Sequence, residues 1–220
     1  MLTCVSNADA VVELEDKLVF VEPYEISEPF SDFFRELFDS RGAADTRAGM
    51  NVKYAQTRKS CCPVDRSRSS LTHQEENDNL HEEYSNLFQD VLPDIAFARI
   101  ALQQEADAIN IWIGNQRSVT ALHKDQYENV YVQVRGEKHF ALLSPVEAPC
   151  VNEQLLPRGR YISDEASGQL SIAINESVEQ LPVPVWDPDD PTERATRYSK
   201  LARPLRVTLK EGDMLYLPAM

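Results

Sequence analysis

The sequence predicts a mainly β fold with flanking helices. Three observations lead there. Apolar residues alternate with polar ones at Leu170, Ile172 and Ile174, and again across Leu205–Leu209 and Met214–Leu217, the period-two pattern of half-buried strands. Turn signals at Gly136, at Ser167-Gly168 and at Gly212 separate apolar runs. The three- and four-residue spacing of amphipathic helices appears in short stretches ahead of residue 106.

In chain order, Val11, Val12, Leu14, Leu18, Val19, Phe20 and Val21 read as two short strands around the turn Glu15-Asp16-Lys17. Phe30, Phe33, Phe34, Leu37 and Phe38 recur at helical steps, with Ser27 or Ser31 as a candidate cap and Gly42 beyond the end. Such a stripe is what packing a helix on a sheet requires, so it is expected to be core. Residues 51–56 read as a short strand carrying Tyr54. Residues 57–81 are polar, cannot bury enough surface to offset ordering, and are expected to form a flexible loop or insertion with solvated His73 and His81 at its edge. Tyr84, Leu87, Phe88, Val91 and Leu92 then make a helical stripe stopped by Pro93. A second helix over 95–105 leads into a strand at 109–113.

Past Leu143, Ser144-Pro145 end a strand and residues 146–160 are turn-rich. Residues 161–175 read as a hairpin around Ser167-Gly168. Residues 181–204 hold five prolines and the acidic positions Asp187, Asp189 and Asp190, which predicts an irregular surface connection. Residues 205–217 read as a hairpin about Gly212. At 220 residues the chain suffices for one sizeable core, and a single domain over 1–220 is expected.

Thirty-six acidic against 22 basic residues give a formal charge of -14, which disfavours a phosphate backbone and favours a basic or lysine-bearing protein segment. No apolar run approaches membrane-spanning length, and the first residues lack a basic then apolar leader pattern. No nucleic acid, no membrane and a cytoplasmic location, with the nucleus as a second compartment, are the expectations. Cys4, Cys61, Cys62 and Cys150 show no metal-binding spacing and are expected to be reduced thiols.

The chemistry concentrates between Asn110 and Leu143. His123 and Asp125 are separated by one residue, and in extended backbone that spacing projects both from one face of a sheet. An imidazole and a carboxylate so placed supply two of the three ligands of the 2-His-1-carboxylate arrangement on non-haem iron. Thr120, Asn129 and Lys138 surround the pair. A dicarboxylate in a pocket needs a cationic partner, which Lys138 can be; a solvated lysine is the plainer alternative.

This pattern resembles the JmjC oxygenases, a cupin-like double-stranded β-helix (jelly-roll) family that uses Fe(II) and 2-oxoglutarate. Residues 111–145 and 212–218 look like the small JmjC subgroup of lysyl hydroxylases that modify developmentally regulated GTP-binding proteins. The resemblance implies His123 and Asp125 as iron ligands. It implies Thr120, Asn129 and Lys138 as 2-oxoglutarate contacts, with Lys138 on the distal carboxylate, and Tyr54 as a further hydroxyl donor. It places the acidic run near the mouth of the site, where a basic substrate would arrive. It also implies a lysine-bearing protein substrate, with a GTP-binding protein as candidate, and homodimerisation through C-terminal elements. The family's second iron-binding histidine follows the Gly212-Asp213 strand by a few residues, and none of His73, His81, His123 and His139 takes that place. The expectation is therefore a partial, C-terminally incomplete jelly roll, inactive or nearly so by itself. A JmjC histone lysine demethylase and a non-catalytic cupin-like binding module remain open.

Overall fold

The computed structural model describes residues 2–5, 10–39, 52–55, 78–92, 94–164, 169–175 and 177–220. The elements are β1 (Leu2–Val5), β2 (Ala10–Leu14), β3 (Lys17–Glu22), β4 (Tyr24–Ser27), α1 (Phe30–Asp39), β5 (Lys53–Tyr54), α2 (Asn79–Glu82) and α3 (Ala96–Leu102). After them come β6 (Asn129–Val132), β7 (Glu137–Leu142), β8 (Glu153–Leu156), β9 (Arg158–Ser163), β10 (Leu170–Asn175), β11 (Leu181–Pro184), β12 (Leu205–Lys210) and β13 (Met214–Leu217). They fall into two compact units. One holds β1, β4, α1, β5, α2, α3 and the chain to Thr120; the other holds β2, β3 and the chain from Ala121.

In the first unit β1 lies between β4 and β5, antiparallel to both. Phe33 and Leu37 of α1 are buried with Ala55, Leu80 and Tyr84, and Ile109, Ile111 and Ile113 pack on them. Two of the stripe's five members, Phe33 and Leu37, are therefore core. Of the others, Phe30 and Phe34 are exposed and stack on each other at 5.4 Å, and Phe38 is half-buried against Phe34. Neither proposed serine caps the helix, since Ser27 ends β4, Ser31 lies inside α1, and Pro29 O receives the first amides.

Residues 109–113 form no strand, contrary to the pattern. Ile113 makes a single antiparallel bridge to Ala55, and ahead of it the backbone is bonded largely by side chains at the end of the polar stretch. Asn79 accepts from Ile111 N at 2.8 Å and donates to Ile111 O at 3.1 Å, while Asp78 accepts from Ile109 N at 2.9 Å. This corrects the reading of 57–81 at its C-terminal end, because Asn79 and Leu80 are buried; residues 57–77, with His73, Cys61 and Cys62, lie outside the described residues. His81 is not simply solvated either: its Nδ1 lies 2.5 Å from Asp78 and its ring 4.1 Å from that of Phe88. The expected helix at 84–92 is a 3-10 turn over Ser85–Asp90, and the next helix is shorter than expected, ending at Leu102 where Gln103 turns left-handed.

The second unit contains the jelly-roll core. Gly136 and Gly212 take positive φ, as turn glycines do, yet neither closes a hairpin. β6 pairs with β13 and β7 pairs with β12, both antiparallel, so two chain segments run as one double strand from one ladder into the next. At the crossing the turns are bonded together, Gly212 N to Gln133 O at 2.8 Å and Gln133 N to Asp213 O at 2.9 Å. The expected hairpin at 205–217 is thereby replaced by the winding that defines a double-stranded β-helix. β10, β9, β3 and β2 form a four-stranded sheet, with β9 and β3 parallel; the tip Ser167-Gly168 of the β9–β10 hairpin lies outside the described residues.

Residues 146–160 are also more regular than expected, giving β8 and the start of β9. β8 pairs with β11, a strand inside the proline-rich stretch. Pro182 and Pro184 share one parity of that two-stranded ladder, so neither missing amide interrupts the bonds made by Val183 and its like. Leu156, Val183 and Val185 are buried there with Val11, Leu18 and Phe20 against them.

Candidate active site

Residues 121–128, which carry His123 and Asp125, form no strand, so the expected sheet backbone is corrected. The chain bends at 126–127, and Met220 N donates to Asp125 O at 2.7 Å, prolonging the β13–β6 pairing toward this segment. The two side chains nevertheless converge: His123 Nε2 stands 3.9 Å from Asp125 Oδ2, with more than half of each side chain exposed. His123 Nδ1 lies 2.8 Å from the carbonyl of Ala121. A carbonyl only accepts, so Nδ1 donates its proton there, and Nε2 is the ring nitrogen that faces the carboxylate. The Nδ1 bond is also the kind that fixes a ligand histidine's tautomer. Two neighbouring ligands ~2.1 Å from one ion stand ~3 Å apart, so a shift of about 1 Å brings this pair onto a shared metal. The donor set fits two positions of a divalent first-row ion. Among the described residues no third His, Cys, Asp or Glu completes a cluster.

Asn129 opens β6 beside the pair, its amide donating to Tyr127 O at 3.1 Å and reaching Asp125 Oδ2 at 3.5 Å. Two residues on, the Tyr131 ring meets Phe140 of β7 edge-on, 5.1 Å between centroids. Lys138 Nζ lies over the same Phe140 ring at 5.9 Å. Within the second unit, then, neighbours lead from His123 and Asp125 through Asn129, Tyr131 and Phe140 to Lys138.

Lys138 is half-buried opposite the buried Leu209, and burial pulls its pKa below the ordinary lysine value. Among the described residues no hydrogen bond or ion pair engages its ammonium; its one recorded polar contact is the Phe140 face. A partly desolvated charge without a partner is costly, and an anion bound beside it would offset that cost. His139 alternates to the other side, bonding Thr208 Oγ1 at 2.8 Å.

Tyr54 and Thr120 belong to the first unit. β5 is fixed by Lys53, which pairs with Glu28 and Glu36 at 2.8 Å each; burial lowers its pKa, but the two carboxylates outweigh that and leave it raised. The Tyr54 ring lies where a side chain at residue 114 would be, since a Cβ on Gly114 would sit 2.6 Å from Tyr54 Cδ2. Thr120 is exposed on irregular backbone. The acidic run is engaged within its own chain: Asp189 receives Arg206, Asp187 accepts from Asp189 N at 2.7 Å, and Asp190 accepts from Thr192 at 3.2 Å.

The description of a cupin-like domain matches residues 3–220. This chain belongs to the cupin-like family. Its relatives place it in the JmjC group, near the lysyl hydroxylase subgroup. It is 38% identical over 151 residues to the human protein named bifunctional peptidase and (3S)-lysyl hydroxylase JMJD7, covering 67% of this chain and 46% of that protein. It is 35% identical over 154 residues to lysine-specific demethylase JMJ32 of Arabidopsis thaliana, covering 67% and 45%. JmjC domain-containing protein E of Dictyostelium discoideum is 30% identical over 180 residues, covering 76% and 51%. The chain thus spans about half the length of the curated relatives it matches.

For a cupin-like JmjC chain, sequence reasoning passed over Tyr131, Gln133 and Phe140. The signal was parity: Tyr131 and Gln133 share the face of Asn129, and Phe140 shares the face of Lys138.

Proposed function

We propose that this chain is a JmjC-type hydroxylase that uses Fe(II) and 2-oxoglutarate and acts on a lysine of a protein substrate. The observation that carries the reading is the half-buried Lys138 ammonium, without an anionic partner among the described residues and joined by neighbours to the His123–Asp125 pair. A five-carbon diacid answers both ends at once. One carboxylate meets Lys138, and the other end meets the metal pair.

In this reading His123 Nε2 and Asp125 Oδ2 hold the iron, which when bound supplies oxygen-activating chemistry. Ala121 O keeps the imidazole proton on Nδ1, so Nε2 stays available. Asn129 steadies Asp125 through its amide. The acidic surface draws a lysine-bearing segment, a GTP-binding protein being the candidate partner and the cytoplasm, with the nucleus, the compartment. With two protein donors among the described residues, iron binding and turnover by the 220-residue chain are expected to be weak.

The test is mass spectrometry of a lysine peptide incubated with the chain, Fe(II) and 2-oxoglutarate, which should show at most a trace gain of one oxygen. Robust turnover would contradict the expectation of weakness, while absence of any diacid binding would remove the reading altogether. A demethylase reading is favoured by the name of the Arabidopsis relative, and loss of methyl groups from a histone peptide would select it. A binding module without catalysis is favoured by the two-donor set, and failure to retain metal in the presence of the diacid would select it.

A further inference from the structure

Ahead of β12 the chain carries a cation at every third position, Arg194, Arg197, Lys200, Arg203 and Arg206, in a protein whose formal charge is -14. Over 196–202 the backbone turns that spacing into a surface. Ser199 N donates to Thr196 O, Leu201 N to Tyr198 O and Ala202 N to Ser199 O, a 3-10 coil that repeats every three residues and stacks residues three apart on one side. The coil therefore has three sides. On the first, Ser199 is buried, and its hydroxyl donates to Cys150 O at 2.7 Å, seating the coil on the 145–150 turn. The second carries Arg197 and Lys200, both exposed. The third carries Tyr198 and Leu201, 41% and 57% exposed, and Val146 of the supporting turn is 84% exposed.

The cations do different work. Arg206 is held by Asp189 and the Pro188 carbonyl, and Arg203 folds back on the carbonyls of 200–202, coming within 3.0 Å of Ala202 O. Those two fasten the coil. Arg197 bonds the Tyr198 hydroxyl and lies over that ring at 4.7 Å, while Lys200 makes no hydrogen bond or ion pair among the described residues. Glu147, the carboxylate of the supporting turn, is spent on the backbone amides of Ser144 and Arg203. Two neighbouring outward sides, one cationic and one apolar, thus stand on a fixed base.

We propose that the 196–202 coil is a docking ridge for a short acidic segment of a partner protein in which carboxylates are interspersed with apolar side chains. The carboxylates meet Arg197 and Lys200, and the apolar groups lie on Tyr198 and Leu201. Charge selects this occupant. A membrane surface or a nucleic acid is an extended anion and would bring its phosphates against the rest of a protein of charge -14, whereas a short peptide stays within about 8 Å of the ridge, the screening length at physiological salt. A purely polar acid would leave the apolar side uncovered. The inference does not depend on the oxygenase reading.

The test is fluorescence anisotropy of the full chain with a short labelled peptide that alternates glutamate and leucine. The chain should bind it about tenfold or more tightly than the glutamate–serine counterpart, because only the first peptide covers the apolar side. Affinity should fall as salt rises. Lys200→Glu should weaken binding by about tenfold, since repulsion replaces attraction, whereas Lys17→Glu, an equal change of net charge at the exposed start of β3, should leave it within about twofold. Leu201→Ser should erase most of the preference for leucine over serine. Arg197→Gln, which removes a charge without reversing it, keeps the test decisive should Lys200→Glu lower Tm, and is expected to weaken binding by about threefold. No binding of the glutamate–leucine peptide, equal losses from Lys200→Glu and Lys17→Glu, or tighter binding to phosphatidylserine vesicles or single-stranded DNA than to the peptide overturns the proposal.

Discussion

Replacing Lys138 with methionine should have two opposite effects, because the ammonium is a burden to the empty fold and an asset to the filled one. Methionine has nearly the same reach and would lie against Phe140 and Leu209, the neighbours that now partly desolvate the charge. Relief of that desolvation is worth about 1 kcal/mol by comparison with buried charges exchanged for apolar groups. In a chain of this size that raises Tm by about 2–4 °C. With a diacid present the sign reverses, since removing one partner of a desolvated ion pair costs about 3 kcal/mol, or roughly a hundredfold in Kd. The assay is thermal unfolding with and without 2-oxoglutarate and Mn(II), alongside calorimetric titration of the diacid. A variant that melts lower than the parent, or that binds 2-oxoglutarate within about threefold of it, refutes the reasoning.

The same residue sets a pH dependence. Because burial lowers its pKa below 10.5, the folded chain holds fewer protons than the unfolded chain between the depressed value and 10.5, so this group's contribution to stability rises with pH across that window. Diacid binding needs the charged form and should weaken over the same range; an alkaline titration compared with Lys138→Met, which should lack both trends, checks this. His123→Ala and Asp125→Asn should each weaken Mn(II) binding by about tenfold or more, as loss of one donor from a two-donor site demands, measured by the free Mn(II) resonance signal. Asn79→Ala leaves an amide and a carbonyl of Ile111 without partners, and should cost about 2–4 kcal/mol, read as a drop in Tm.

How far the sequence could be read depended on the range of the interaction concerned. His123 and Asp125 lie two residues apart, so their meeting was legible even though the backbone there is not a strand. The strands themselves were mostly legible because alternation is local. Their partners were not. The turns at Gly136 and Gly212 carry the same signal as hairpin turns, yet each strand of each pair bonds to a strand more than sixty residues away in sequence. Alternation reports which face is buried and says nothing about which edge is paired. Asp78 and Asn79 were hidden at the end of a polar run because their work is to bond the backbone of 109–111, a contact with no hydrophobic signature. Pro182 and Pro184 concealed β11 for the converse reason: a two-stranded ladder tolerates missing amides at one parity. Lys138 was picked out by its place in a motif, but its partial burial without an anion is visible in the folded chain alone.

The most direct test is anomalous diffraction from crystals of the chain grown with Mn(II) and 2-oxoglutarate. The account predicts one manganese peak within ~2.3 Å of both His123 Nε2 and Asp125 Oδ2, and a carboxylate of the diacid ~2.8 Å from Lys138 Nζ. Manganese bound elsewhere, or a diacid seated away from Lys138, would contradict it.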